Sequence, residues 1–120
     1  MEKYREDIKT FAMELDLDLA DLADLFIEYL SEIKNYGNQL MISLLEEDYK
    51  KLQQDTHAIK GISGNMCILD VFTEADEFDK QLKSKITIDA NTHVIRLQLL
   101  IEDSAFRIKK VFSQEGISLE

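Results

Sequence analysis

A chain of 120 residues with no proline and only four glycines has few places to turn. Proline and glycine are the main punctuation of turns and loops. Their scarcity predicts long helices joined by short connections. The helical period runs the length of the chain, and no segment alternates strongly enough to compete as a strand.

Five helices are expected. The first covers roughly residues 2–14, with Tyr4, Ile8, Phe11 and Leu15 at helical spacing. Asp18 is placed to cap a second, whose stripe of Leu22, Phe26, Tyr29, Ile33, Tyr36, Leu40 and Leu44 runs through Gly37 to about residue 46. Asp48 is placed to cap a third, with Tyr49, Leu52, Thr56, Ile59, Ser63 and Met66 on one side and Asn65 near its end. The fourth covers roughly residues 68–84, using Ile68, Phe72, Ala75, Phe78 and Leu82. Asp89 is placed to cap a fifth carrying Val94, Leu97, Ile101, Ala105, Ile108 and Phe112, and Gly116 closes the pattern. The expected fold is all-α: an up-down-up-down antiparallel four-helix bundle, with the short first helix covering one end. A single domain over residues 1–120 is expected, its core roughly at 18–113. Leu119-Glu120 receives no structural role.

The net charge of −10 argues against nucleic acid and against an anionic membrane surface, both of which call for a basic face. Cys67, the single cysteine, forms no internal disulfide and offers no metal-ligand spacing. It fits a reducing cytoplasm, which is the expected location. No apolar signal core opens the chain and no run reaches membrane-spanning length. A free-standing monomer is expected. His57 and His93 are the only histidines and fall on different helices, so no metal site is expected. No Ser-His-Asp or Cys-His set is visible, and the acidic residues read as solvated faces.

The third helix carries the chemistry. At about 100° per residue, Leu52, Thr56, Ile59, Ser63 and Met66 share one side and His57 lies opposite. Lys50, Gln53, Gln54, Lys60, Gly61 and Gly64 surround it. Glycine inside a helix costs about 1 kcal/mol relative to alanine. Two of them beside one histidine mean either that space is kept clear for a partner or that the helix ends at Gly61 and residues 61–65 form a loop. Both leave His57 exposed. Residues 49–66 carry three lysines against one aspartate, a local excess of positive charge in an acidic chain. That sign suits an anion delivered to His57 or an acidic site on a partner. Imidazole, with an unperturbed pKa of about 6.5, is substantially unprotonated at neutral pH and is a competent nucleophile.

The stretch Thr56-His57-Ala58-Ile59-Lys60-Gly61-Ile62-Ser63-Gly64-Asn65-Met66 resembles the core motif of the histidine phosphotransfer family of two-component phosphorelays. That motif reads His, any residue, an aliphatic, Lys, Gly, then small residues. The likeness extends over roughly residues 20–112 in helix order and length, but only the short motif is specific. It implies that His57 accepts a phosphoryl group from an aspartyl phosphate on a receiver domain and passes it to another receiver. The partners implied are receiver domains of response regulators or of a hybrid histidine kinase. Lys60 would stabilise the phosphoryl group. Gly61 and Gly64 would let the receiver approach, with Gln53, Gln54 and Lys50 completing the docking surface. The chain itself would need no cofactor, because Mg²⁺ belongs to the receiver. It would be a phosphocarrier rather than an enzyme. Cys67 stands where the family often has glycine.

Two other classes compete. A histidine kinase fragment would typically place an acidic residue after its histidine, where this chain has Ala58, and would need a nucleotide-binding domain. A non-catalytic helical adaptor with an incidental exposed histidine needs no chemistry at all.

Overall fold

The computed structural model describes residues 2–84 and 89–119. They form five helices, α1 (Glu2–Glu14), α2 (Leu19–Leu45), α3 (Tyr49–Asn65), α4 (Leu69–Ser84) and α5 (Ala90–Gln114), and no strand appears among the described residues. The connection between α4 and α5 falls mostly outside them.

Each of the three expected caps is formed. Asp18, Asp48 and Asp89 accept from the backbone N–H groups of Asp21, Lys51 and Thr92 at 2.8, 3.0 and 3.1 Å. A carboxylate there satisfies an otherwise unpaired donor and meets the positive end of the helix dipole. α2 continues unbroken through Gly37.

α1, α2, α3 and α5 stop in a shared way that does not depend on glycine. Asp16, Glu47 and Cys67 hold φ of 54°, 55° and 59°, and Gly116 holds 77°. At each, the next N–H reaches back five residues: Leu17 to the Ala12 carbonyl, Asp48 to Ser43, Ile68 to Ser63 and Ile117 to Phe112, all within 3.0 Å. Glycine usually takes this left-handed position. Three side-chain-bearing residues hold it here, at about 1–2 kcal/mol each in backbone strain. Glu47 is exposed, so Glu47→Gly is expected to raise stability by about 0.5–1 kcal/mol, after the extra chain entropy of glycine is subtracted. Urea denaturation with an unchanged m-value checks this.

α2 is about 40 Å long at 1.5 Å per residue and spans most of the 44 Å long dimension of the molecule. α2 packs on α3 and α5, and α4 packs on α3 and α5, so the four form a closed ring of neighbours. This packing is that of a helical bundle. Phe26, Phe78, Phe112, Leu52, Ile59, Leu97 and Ile108 are fully buried at its centre. Burying each such side chain contributes about 1.5–3 kcal/mol. α1 packs on α5 and α2 through Ile8, Phe11 and Ala12. The Tyr4 hydroxyl donates to Asp70 at 2.6 Å, and Lys9 pairs with Glu115 at 3.1 Å.

Three sequence expectations are corrected. Leu15 is 44% exposed, because α1 ends at Glu14 and the chain turns at Asp16; Ala12 fills the buried position instead. Tyr49 is 52% exposed at the first turn of α3, beyond the packed part of the stripe. Leu119 is only 7% exposed, because the turn at Gly116 folds Ile117 and Leu119 back onto the core.

Candidate functional site

α3 is helical through Asn65, so Gly61 and Gly64 lie inside the helix and not in a loop. The sequence keeps the helix going because Ile62, Ser63 and Met66 continue its packed side past Gly61 and Gly64. His57 projects from the opposite side with its side chain 59% exposed.

The two glycines have different reasons to be there. A Cβ on Gly61 would meet nothing within 4 Å, so the surface beside His57 is open at that point. A Cβ on Gly64 would lie 2.9 Å from Cδ1 of Phe72 on α4. Gly64 therefore admits the Phe72 ring, an internal requirement that the sequence alone did not reveal. Gly61→Ala is expected to stabilise the fold by up to about 1 kcal/mol through helix propensity. Gly64→Ala is expected to destabilise it by about 1–3 kcal/mol through overpacking. Thermal melts of the two variants should shift in opposite directions.

Beneath His57 lies a residue the sequence reading passed over. Asp79 of α4 is fully buried. Its Oδ2 accepts from His57 Nδ1 at 3.1 Å and pairs with Lys83 Nζ at 3.1 Å; its Oδ1 accepts from Gln53 Nε2 at 2.8 Å. Burial pushes the Asp79 carboxyl up, but hydrogen bonds from Gln53, His57 and Lys83, with the charge of Lys83, outweigh it and leave the carboxyl below its usual range. Asp79 is therefore ionised at neutral pH. An ionised carboxylate only accepts hydrogen bonds, so Nδ1 of His57 carries the proton. In the neutral tautomer this leaves the lone pair on Nε2, which has no hydrogen-bond partner among the described residues.

Of the three lysines on α3, two are paired with acids. Lys51 pairs with Asp55 at 2.6 Å, and Lys60 pairs with Asp76 at 3.0 Å and lies 3.8 Å from Asp79. The hydrogen bond to Asp76 raises the Lys60 pKa above its usual value, against the opposing effect of burial. Lys80 joins Asp76 at 2.9 Å. Lys50 and Gln54 are exposed on α3, and Lys50 forms no ion pair among the described residues. His57, Lys60, Gly61, Gly64, Asn65, Leu69 and Phe72 together line an open cleft of about 390 Å³ between α3 and α4.

The acidic residues are not all solvated faces. Asp55, Glu74 and Asp79 are buried, each with a cationic or imidazole partner: Lys51, then His93 with Arg96, then His57 with Lys83. His93 also stacks on Phe78 with centroids 4.8 Å apart, so it acts as a bridge between α4 and α5. Among the described residues, no group of three or more His, Cys, Asp and Glu side chains is placed to hold a metal ion. No helix of the described residues is long and apolar enough to cross a membrane.

Cys67 holds the left-handed turn after α3, a backbone position that favours glycine, the residue the resemblance expects there. Its thiol is pushed up by burial, with Glu14 and Asp7 adding to the effect, so it is a poor nucleophile. Comparison of the chain with protein-family models, curated proteins and solved structures gave no match.

Proposed function

We infer that this chain is a histidine phosphotransfer protein in which His57 receives a phosphoryl group from an aspartyl phosphate of a receiver domain and yields it to another receiver. The observation that carries the reading is the pairing of exposed His57 with buried Asp79. It is joined by the resemblance of residues 56–66 to the family's motif. α2 to α5 then form an up-down-up-down antiparallel bundle with α1 at one end. The three-residue connections after α2 and after α3, and the closed ring of neighbours, support that arrangement.

The chemistry follows from the tautomer. The Nε2 lone pair attacks phosphorus, and the P–O bond to the receiver's aspartate breaks with the electron pair leaving on the carboxylate. No proton has to move. The ring keeps its Nδ1 proton and becomes cationic, and Asp79 balances that charge. A protonated ring is also the better leaving group, so the same bond favours the onward step. Asp79 thus fixes the nucleophilic nitrogen and keeps the N–P bond labile. It is a positioning residue, comparable in logic to carboxylates that orient histidines elsewhere. Gly61 leaves room for the incoming receiver, and the receiver supplies Mg²⁺ and the aspartate.

Profiling against a panel of phosphorylated receiver domains tests this reading. Transfer of label to the chain from at least one receiver is expected, with none from labelled ATP alone. Labelling by ATP alone would instead point to a kinase, and silence across the panel would favour an adaptor bundle.

A further inference from the structure

Lys60 is held in a way that differs from Lys51 on the same helix. Lys51 is seated on Asp55, which is buried and has no other cation among the described residues. Lys60 is held by two acids, each with a second cation of its own. Asp76 keeps Lys80 at 2.9 Å, and Asp79 keeps Lys83 at 3.1 Å. If Lys60 swings away, neither carboxylate is left unpaired. Lys60 is also one helical turn from His57, on the same cleft. A group on Nε2 therefore lies within the sweep of its flexible stem.

We propose that Asp76 is a parking site for Lys60, holding its ammonium while His57 is bare and releasing it to the phosphoryl oxygens when His57 is phosphorylated. This rests on the phosphoacceptor reading of His57. Asp76 then sets how strongly the phosphorylated state is favoured. A phosphoryl group carries close to two negative charges and strong acceptor oxygens, so it competes well against Asp76 and the more distant Asp79, which already have Lys80 and Lys83. The competition lowers the net gain from the Lys60 contact and keeps the phosphohistidine from being over-stabilised, as a carrier that must pass its group on requires.

The test uses reversible exchange with N-phosphoimidazole, which needs no receiver. Nε2 of His57 attacks phosphorus in N-phosphoimidazole protonated on its other ring nitrogen; the P–N bond breaks, and neutral imidazole leaves with that electron pair, keeping its proton. ³¹P NMR reads the ratio of phosphorylated to free chain at fixed imidazole. Asp76→Asn is expected to raise that ratio by about threefold or more, the size of one strengthened charge-assisted contact. Asp76→Glu, which keeps a carboxylate for Lys60, should return it toward the wild-type value. In a Lys60→Ala background, Asp76→Asn should have no effect. In the wild type, the ¹⁵Nζ resonance of Lys60 should shift on phosphorylation while that of Lys51 stays put. An unchanged ratio in Asp76→Asn overturns the proposal. So does an equal rise in the Lys60→Ala background, which would mean direct repulsion of the phosphoryl group by Asp76. Failure of His57 to take up the group overturns it as well. A receiver panel that transfers nothing, beside a positive exchange result, would sink the relay function and leave the parking site standing.

Discussion

His57→Gln is expected to lose all phosphoryl uptake while retaining the wild-type helical content and melting behaviour. The side chain is mostly solvent-exposed, and its one hydrogen bond goes to Asp79, which keeps Gln53 and Lys83 in the variant. Glutamine has a similar reach and an amide N–H to offer the carboxylate, but no nucleophilic nitrogen. Uptake from a phosphorylated receiver should fall to background. Circular dichroism and a thermal melt distinguish this outcome from unfolding. Residual acid-labile label in the variant would place the acceptor elsewhere, and a collapse of helicity would make His57 structural.

Asp79→Asn is expected to do two things at once. Transfer through His57 should slow about 10–100-fold, by analogy with the loss when the partner that orients a metal-ligating histidine is removed. The amide no longer demands a proton on Nδ1, so the ring samples both tautomers, and the cationic phospho-ring loses its counter-charge. Stability should also fall by about 1–3 kcal/mol, since a buried acceptor serving three side chains is replaced by a neutral group. The pH dependence separates this from generic damage. The folded-state pKa of Asp79 is depressed, so its contribution is fully present above the unfolded value of about 3.9 and is lost as pH falls through the folded value. The stability gap between wild type and variant should therefore be constant at neutral pH and close below about pH 4. A gap that persists unchanged into acid would mean that the charge of Asp79 is not what stabilises the fold. Wild-type transfer rates in the variant would remove it from the mechanism.

Much of the framework was visible in the sequence because caps and stripes are local. Asp18, Asp48 and Asp89 cap α2, α3 and α5 as their positions predicted. The Leu52, Thr56, Ile59, Ser63 side of α3 is buried as its spacing required, with Thr56 bonded to the Leu52 carbonyl and Ser63 to the Tyr29 hydroxyl. The left-handed turns at Asp16, Glu47 and Cys67 were not visible, since none uses the residue that usually marks them.

Reading α4 by its apolar residues assigns its acids to solvent and passes over Asp79. A signal was there. Asp79 is four residues after Ala75 and three before Leu82, so it falls on the apolar stripe itself. Glu74 relates in the same way to Val71 and Phe78, and Asp55 to Leu52 and Ile59. An acid at such a position must be buried or disrupt the stripe, and burial calls for a cationic or hydrogen-bonding partner on a facing helix. What the sequence withheld was which helix supplies that partner. His57 was therefore legible as exposed, whereas its coupling to α4 needed the packing of α3 on α4. The same packing separates Gly61 from Gly64, which periodicity treats alike.

The proposed function stands or falls on His57 as a phosphoacceptor acting through Nε2. Incubation of the chain with a phosphorylated partner receiver, followed by ³¹P–¹H NMR of the product, tests it most directly. A single acid-labile phosphohistidine is expected, at His57 and on Nε2, that disappears when an unphosphorylated receiver is added. A phosphoryl group on Nδ1, on His93 or on no histidine at all would contradict it.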